Sequence, residues 1–190
     1  MSAKIELVFL LLLFSSVVAQ AGDSSNNPHP EARGKVILKG KLIYSEIRIS
    51  ASTQVVWDIL MDFAAYPQWN PFIKEIAGDS TVGNRIRAHI VPPGQKGMVF
   101  TPLVLVNEPG HEFRWIGKLG ISHLFDGEHT FTLTDNGDGT CTFRQYEHFR
   151  GILVPLFAKM LNMNTQQGFE LMNQKLKEKA ERELRVKNEE

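Results

Sequence analysis

Residues 128–150 read EHTFTLTDNGDGTCTFRQYEHFR, and this stretch decides the fold class. On both sides of its centre, polar and apolar residues alternate with the period of half-buried β-strands. The alternation predicts strands over 128–135 and 140–150. The residues between them contain Asn-Gly and Asp-Gly pairs, which favour tight hairpin turns. They lack the ligand spacing and the closing glutamate of a calcium loop, so we predict a turn there and no metal site.

Before this hairpin in the sequence, similar alternation and turn residues predict five more strands. They lie at 36–49, 72–76, 85–91, 98–107 and 112–118. Between the first two, apolar residues recur at helical spacing after Ser52, a good N-cap residue, and predict a helix over 53–63. Trp69 follows in what we expect to be a loop, because Pro67 and Pro71 interrupt regular structure.

The last predicted element is a long helix over 155–185. Its apolar stripe contains Phe157, Met160, Leu161, Phe169, Met172, Leu176 and Ala180. The order of strand, helix, antiparallel strands and long helix is typical of an α+β fold with a helix covering one sheet face. A long helix across a curved sheet often leaves a concave, mostly apolar space, which small ligands favour. Met163 and Met172 could form an adaptable wall of such a space.

Length and composition describe an ordinary single domain. The 190 residues contain 21 basic and 21 acidic side chains, so the net charge is zero. No basic excess points to nucleic acid as a partner. The lone Cys141 cannot form an internal disulfide or a cysteine-rich zinc site, and we interpret it as a buried hydrophobic residue. We predict no metal and no cofactor.

The N-terminus has the three-part layout of a secretory signal peptide. A weakly basic start precedes the apolar run from Leu7 to Phe14, and Ala19-Gln20-Ala21 is a small-x-small cleavage signature. We therefore predict a signal peptide over 1–21, a mature chain starting at Gly22, and an exported protein. An uncleaved membrane anchor is the alternative, although the run is shorter than the about 20 residues of a membrane span. Residues 22–34 are predicted as a flexible leader, 35–185 as the domain, and 186–190 as a charged tail.

Two regions carry a family resemblance. Val55 to Leu60 (VVWDIL) and Tyr66 to Phe72 (YPQWNPF) resemble the first helix and following loop of the polyketide cyclase/dehydrase group. That group belongs to the START, Bet v 1-like or SRPBCC superfamily. Residues 127–131 and 139–151 resemble its last two strands, and the likeness covers about 35–182. It implies a helix-grip fold, in which a curved antiparallel sheet of about seven strands wraps on a long C-terminal helix. It also implies a hydrophobic pocket, but no particular reaction.

Strand alternation predicts which side chains face that pocket. His129 and Phe131 share one face of their strand, and Gln145 and Glu147 share one face of the next, so His129 could meet Gln145 or Glu147. The predicted ligand-binding residues are Trp69, Phe113, Trp115, His129, Phe131, Phe143, Gln145, Glu147, Phe149, Phe169 and Met172. The polar cluster is open to three interpretations: a self-satisfied buried network, a polar end that orients a ligand, or a general acid–base pair of His129 and Glu147.

These features leave three functional hypotheses. The first is binding or carriage of a small hydrophobic ligand, lipid-like or aromatic, outside the cytosol, with possible transient membrane contact. The second is an enzyme resembling polyketide cyclases. The third is an interaction module with a filled core. The export signal favours the first, because the resemblance places polyketide chemistry on carrier-bound intermediates in the cytosol. Neither the ligand nor the oligomeric state follows from the sequence.

Overall fold

The computed structural model describes residues 40–118, 123–156 and 164–189. The strands within them are β1 (Lys41–Ile49), β2 (Ile73–Gly78), β3 (Ile86–Ile90), β4 (Met98–Phe100), β5 (Leu103–Glu108), β6 (Glu112–Lys118), β7 (Asp126–Asp135) and β8 (Cys141–Arg150). The helices are α1 (Thr53–Met61), the short α2 (Tyr66–Trp69) and α3 (Gln166–Glu189), with a single 3₁₀ turn at Phe63–Ala65. The predicted α+β fold, an antiparallel sheet with a long C-terminal helix, is confirmed.

The strands form two antiparallel sheets. The larger has the order β1-β8-β7-β6-β5, and the smaller has the order β2-β3-β4. They meet where the chain before β3 passes β5: Ile86 N–H donates to the Pro102 carbonyl at 3.0 Å, and Val104 N–H donates to the Asn84 carbonyl at 2.9 Å. An isolated bridge between Arg85 and Leu103 extends this link.

The predicted strand over 98–107 is wrong as a single element. It is two strands, β4 and β5, which lie in different sheets and are separated at Thr101 and Pro102. Proline has no N–H to donate to a strand ladder, so the ladder with β3 is interrupted at Pro102, where only the proline carbonyl takes part and accepts from Ile86 N–H. The described residues therefore contain eight strands instead of about seven.

The segment from α1 to α2 corrects two boundaries. Ser52 caps α1, its hydroxyl accepting from Val55 N–H at 3.4 Å, as predicted. The helix ends at Met61 instead of Phe63, because Asp62 leaves the helical region with ψ 76°. Trp69 lies at the end of α2 and not in a loop, since Pro67 fits the first turn of a helix, where no N–H partner is needed.

The β7–β8 hairpin is confirmed. Asn136 N–H donates to the Thr140 carbonyl at 3.1 Å across the turn. Gly137 and Gly139 have φ of 76° and 80°, in the left-handed region that glycine adopts without strain. β7 begins at Asp126, two residues before the predicted start at Glu128.

The helix α3 covers the inner face of the larger sheet and packs along β1. Its predicted stripe residues Phe169, Met172, Leu176 and Ala180 are fully buried. Two polar contacts fix its C-terminal half to the β1–α1 connection. Lys177 Nζ donates to the Arg48 carbonyl at 2.7 Å, and the Glu181 carboxylate accepts from Ser50 N–H at 2.9 Å.

α3 continues to Glu189, beyond the predicted end at Arg185. The stripe residues Phe157, Met160 and Leu161, together with Met163, lie outside the described residues. So do the predicted signal peptide, the leader and the start of the first strand at 36–39. None of the helices in the described ranges is long and apolar enough to cross a membrane.

Candidate functional site

His129 and Glu147 form a buried pair under α3. They are directly opposite in the antiparallel register of β7 and β8, and both side chains point to the inner face. The distance from His129 Nδ1 to the Glu147 carboxylate oxygen Oε2 is 2.6 Å. His129 is 1% exposed and Glu147 is 9% exposed. Of the two partners that the sequence left open for His129, the structure selects Glu147.

Aromatic rings surround the His129 imidazole. Trp115 stacks on it nearly parallel, with ring centroids 4.9 Å apart and an interplanar angle of 12°. Phe131 and Phe169 approach it edge-on, at 4.5 Å and 5.1 Å. These contacts from β6, β7 and α3 hold the ring in one orientation and keep water away from it, which strengthens its hydrogen bond to Glu147.

The hydrogen bond to Glu147 assigns different roles to the two imidazole nitrogens. A carboxylate can only accept, so Nδ1 carries the proton and donates to it. In the neutral ring, Nε2 then carries a lone pair. This atom is buried and has no hydrogen-bond partner among the described residues. An oriented imidazole with a free Nε2 can accept a hydrogen bond from a bound molecule or take a proton from it.

Gly127 makes space for the Glu147 carboxylate. A Cβ added to Gly127 would lie 2.5 Å from Glu147 Oε1 and 3.3 Å from the Phe149 ring. Any larger residue would displace the carboxylate from its present position. The sequence analysis did not single out Gly127, and the signal would have been the position of a glycine two residues before His129 on the same strand face.

Gln145 belongs to a second polar group, which joins β8 to α3 and β1. Its Nε2 donates to the Phe169 carbonyl at 3.3 Å and to Asn173 Oδ1. Asn173 Nδ2 in turn donates to Ser45 Oγ at 2.9 Å. The Gln145 Oε1 atom is buried and unpartnered within the described part of the chain.

Asn173 and Ser45 were missed by the sequence analysis. Asn173 follows Met172 on the stripe that also holds Phe169 and Leu176, and a polar residue on a buried helix face was the available signal. Ser45 lies between the inward residues Ile43 and Ile47 of β1, so strand alternation already placed it on the inner face.

The other predicted ligand-binding residues are all buried and belong to one hydrophobic core. Phe113 contacts Trp115, with 5.1 Å between ring centroids, and Phe143 contacts Phe131 at 5.6 Å. Phe149 packs against Phe125 at 5.3 Å. Met172 is fully buried on α3.

Trp69 lies in the same core, on the short helix α2. Its ring contacts Tyr66 at 5.1 Å, and in the described structure no ring contact joins it to His129. Its Nε1–H is buried without a partner there.

The arrangement holds no evident metal site. Across residues 40–118, 123–156 and 164–189, no three His, Cys, Asp or Glu side chains converge as metal ligands. His129 and Glu147 supply two such groups, fewer than the three or four protein ligands that zinc sites use.

A family model described as polyketide cyclase / dehydrase and lipid transport matches residues 42–181. The chain belongs to this family. The match spans β1 through most of α3, and therefore includes every strand that contributes to the His129 site. A comparison with curated protein sequences gave no match.

Several solved structures share the fold of this chain. A norcoclaurine synthase from Thalictrum flavum, in complex with a transition-state analogue, has a TM-score of 0.62 and 16% identity, covering 78% of this chain and 99% of that one. The Zhui aromatase/cyclase from a Streptomyces species has a TM-score of 0.63 and 12% identity, with 77% and 96% covered. A START superfamily protein from Mycobacterium smegmatis has a TM-score of 0.59 and 21% identity, with 74% and 97% covered. These likenesses establish the helix-grip, START-like fold, and fold alone does not decide between binding and catalysis.

Proposed function

We propose that this chain binds a small hydrophobic molecule, lipid-like or aromatic, in the interior between the larger sheet and α3. The observation that carries the proposal is the buried His129 Nε2 atom, which has no partner among the described residues. A buried polar atom without a hydrogen bond costs about 1–3 kcal/mol, and a polar group on a bound ligand would remove that cost.

The surroundings of His129 have the composition of a ligand site. Trp115, Phe131 and Phe169 supply an aromatic wall, and His129 supplies one fixed polar atom within it. Ligand sites are typically apolar walls with few, well-placed polar groups.

Two comparisons support this proposal. The family description includes lipid transport. A structure of norcoclaurine synthase is in complex with dopamine and hydroxybenzaldehyde, so a protein of this fold holds aromatic molecules.

We also propose that the protein acts outside the cytosol. The support is the apolar run from Leu7 to Phe14 and the Ala19-Gln20-Ala21 cleavage signature. Carriage of a lipid-like ligand there would include transient membrane contact during loading and release. N-terminal sequencing of the protein from the producing cells is expected to begin at Gly22. An intact N-terminus in the membrane fraction would instead favour an uncleaved anchor.

The His129–Glu147 pair favours a second candidate function, an enzyme that moves a proton. Glu147 accepts from Nδ1–H at 2.6 Å, which holds the imidazole in one orientation and leaves Nε2 available to a bound molecule. Under this hypothesis, Glu147→Gln would lower turnover strongly while leaving ligand affinity within a few-fold. Under the binding hypothesis there is no turnover to lower.

The experiment that tests the binding function is native mass spectrometry of the purified protein, followed by denaturing extraction of anything released. The expected result is a defined hydrophobic adduct in the wild-type protein. Its occupancy is expected to fall in the double variant His129→Phe, Glu147→Gln. The second substitution is included because His129→Phe alone would leave the Glu147 carboxylate buried without a partner. His148→Asn is the matched control, since His148 is next to Glu147 but contacts Arg150 on the other strand face. A clean apo mass, with no uptake from a panel of lipids and aromatic compounds, would contradict the binding function and leave the enzyme or the filled-core module.

A further inference from the structure

Two buried polar atoms under α3, His129 Nε2 and Gln145 Oε1, have no hydrogen-bond partner among the described residues, and both are hydrogen-bond acceptors. At His129, Nδ1–H donates to the Glu147 carboxylate, so Nε2 of the neutral imidazole accepts. At Gln145 the Phe169 carbonyl fixes the amide orientation, because a carbonyl can only accept and the NH₂ group must face it. Gln145 Oε1 is therefore the second free acceptor.

The two acceptors lie on the same face of neighbouring strands. Gln145 is opposite Phe131, two residues along β7 from His129. Such diagonal neighbours have Cα atoms about 7–8 Å apart, within reach of one small molecule. Phe169 contacts both, through its ring to His129 and through its carbonyl to Gln145.

The buried charges of the described residues are acidic. Burial raises the pKa of Tyr66 and of Cys141, so both stay neutral at pH 7. The other ionisable side chains buried there are Asp126, His129 and Glu147, and none is lysine or arginine. With a neutral imidazole, the His129–Glu147 pair carries one negative charge. A carboxylate or phosphate ligand would bring a second negative charge close to Glu147 without a cation to compensate it. Like charges in a poorly solvated site repel strongly.

We propose that the ligand is an uncharged molecule bearing hydroxyl groups, which donate to His129 Nε2 and Gln145 Oε1, and that the site discriminates against carboxylates. This inference rests on the proposed binding function. A site with an unpaired buried acceptor rejects an analogue that lacks the matching donor, because the acceptor is then left unsatisfied.

Three naphthalene probes with different groups at the same ring position test the proposal: naphthol, its methyl ether and the corresponding naphthoate. All three bury nearly the same apolar surface, so their affinities at pH 7 differ mainly through the polar group. Isothermal titration is expected to show naphthol binding at least about tenfold tighter than either analogue, since both analogues lack the donor and leave a buried acceptor unsatisfied. Tetradecanol, its methyl ether and myristate repeat the comparison for a lipid-like ligand.

Two variants separate the hydrogen bond from the charge. Glu147→Gln keeps an acceptor for Nδ1–H but removes the negative charge. It is expected to improve naphthoate binding several-fold while the ratio of naphthol to methyl-ether affinity stays unchanged. Adding His129→Phe to this background removes Nε2 but keeps an aromatic ring, and is expected to bring that ratio close to one.

Equal affinity for naphthol and its ether in the wild-type protein, or a preference for the carboxylates, would overturn the inference while leaving the binding function intact. No binding of any probe in either series would contradict the binding function itself. The three probe affinities of the wild-type protein test the inference even where a variant fails to fold.

Discussion

Gly127 occupies the position where a side chain would exclude the Glu147 carboxylate. Gly127→Ala is expected to displace Glu147 and break its hydrogen bond to His129, because the new Cβ would lie 2.5 Å from Oε1. The expected cost is about 1–3 kcal/mol of unfolding free energy, since two buried polar groups lose their partner. Chemical denaturation measures the stability, and ¹⁵N NMR of the imidazole reports the loss of the Nδ1–H bond.

Gly117→Ala is the matched control. Gly117 is directly opposite Gly127 on β6, but the nearest atom to its added Cβ is the Gly127 carbonyl oxygen at 3.9 Å. This variant is expected to keep the His129 NMR signal and to lose little or no stability. An unchanged Nδ1 signal in Gly127→Ala would show that the sheet adjusts without disturbing the pair.

Cys141 illustrates how burial controls reactivity at a single residue. Desolvation raises the pKa of its thiol to about 11, with a further contribution from the Asp135 carboxylate. At pH 8 the raised pKa leaves about 0.1% of the thiol as thiolate, compared with about a quarter for an ordinary thiol. Ellman's reagent at pH 8 is therefore expected to label the native protein at least about a hundredfold more slowly than the guanidinium-unfolded chain. Rapid labelling of the native protein would contradict the buried position.

At the scale of elements, α3 is joined to the sheet through the Asn173 side chain. Asn173→Leu is expected to destabilise the fold by about 1–3 kcal/mol, because Gln145 loses a buried acceptor and Ser45 loses a buried donor. The exposed Gln174 is the control on the same helix. It contacts Glu178 at the surface, and Gln174→Leu is expected to change stability by no more than about 0.5 kcal/mol. Thermal and urea unfolding measure the stability of both variants. An equal loss of stability in Asn173→Leu and Gln174→Leu would show that the buried network has no special role.

Gly168 sets the distance between α3 and the chain after α2. A Cβ there would lie 2.2 Å from the Phe72 ring, which is buried and packs edge-on against Phe169. Alanine normally stabilises a helix by about 1 kcal/mol relative to glycine. We expect Gly168→Ala to lower the melting temperature instead, because the Phe72 ring must move within a packed core. Gln167→Ala, on the exposed side, measures the helix effect alone, and a higher melting temperature for Gly168→Ala than for Gln167→Ala would refute the steric argument.

The elements also show what the sequence could and could not predict about the site. Alternation alone placed His129, Gln145 and Glu147 on the inner faces, because that depends only on the period of a strand. The choice between Gln145 and Glu147 as the partner of His129 depends on register, which the hairpin turn sets and alternation does not. Asn173 comes from an element far away in the sequence, so its pairing with Gln145 follows only from tertiary packing. That these residues bind a ligand stays a prediction.

Boundaries were less predictable than element types. The two long helices, α1 and α3, and most strands were predicted, since their periodicity extends over many residues, whereas the short α2 was expected to be a loop. The break at Pro102 was missed because the residues on each side keep the composition of strands, and only their membership of different sheets separates β4 from β5.

For the whole molecule, the C-terminal half of α3 is part of the core. Deleting 176–190 removes Leu176 and Ala180, which are fully buried, and the contacts of Lys177 and Glu181 with the β1–α1 connection. Burying one leucine contributes about 1.5–3 kcal/mol, so the deletion removes much of a typical domain's stability. We expect the shortened protein to be unfolded by circular dichroism.

Deleting only 186–190 is the matched control. It keeps Leu176, Ala180 and both polar contacts, and it ends the chain at the predicted domain boundary after Arg185. This protein is expected to melt within a few degrees of the full chain. Cooperative melting of the longer deletion would mean that the sheet holds together without the end of α3.

The pairing of β1 with β8 and α3 has a consequence for how the protein is made. The ribosome releases β1 first among the described strands, yet Lys41 pairs with Phe149, and the helix that packs on β1 is the last of the described elements to emerge. The hydrogen-bonded neighbour of β1 therefore does not exist until β2 to β7 have all been synthesised. Contacts this distant in sequence form slowly, because a long loop must close before they are made. In the nascent chain, β1 thus stays without its strand partner, and accessible to chaperones, until β8 has left the exit tunnel.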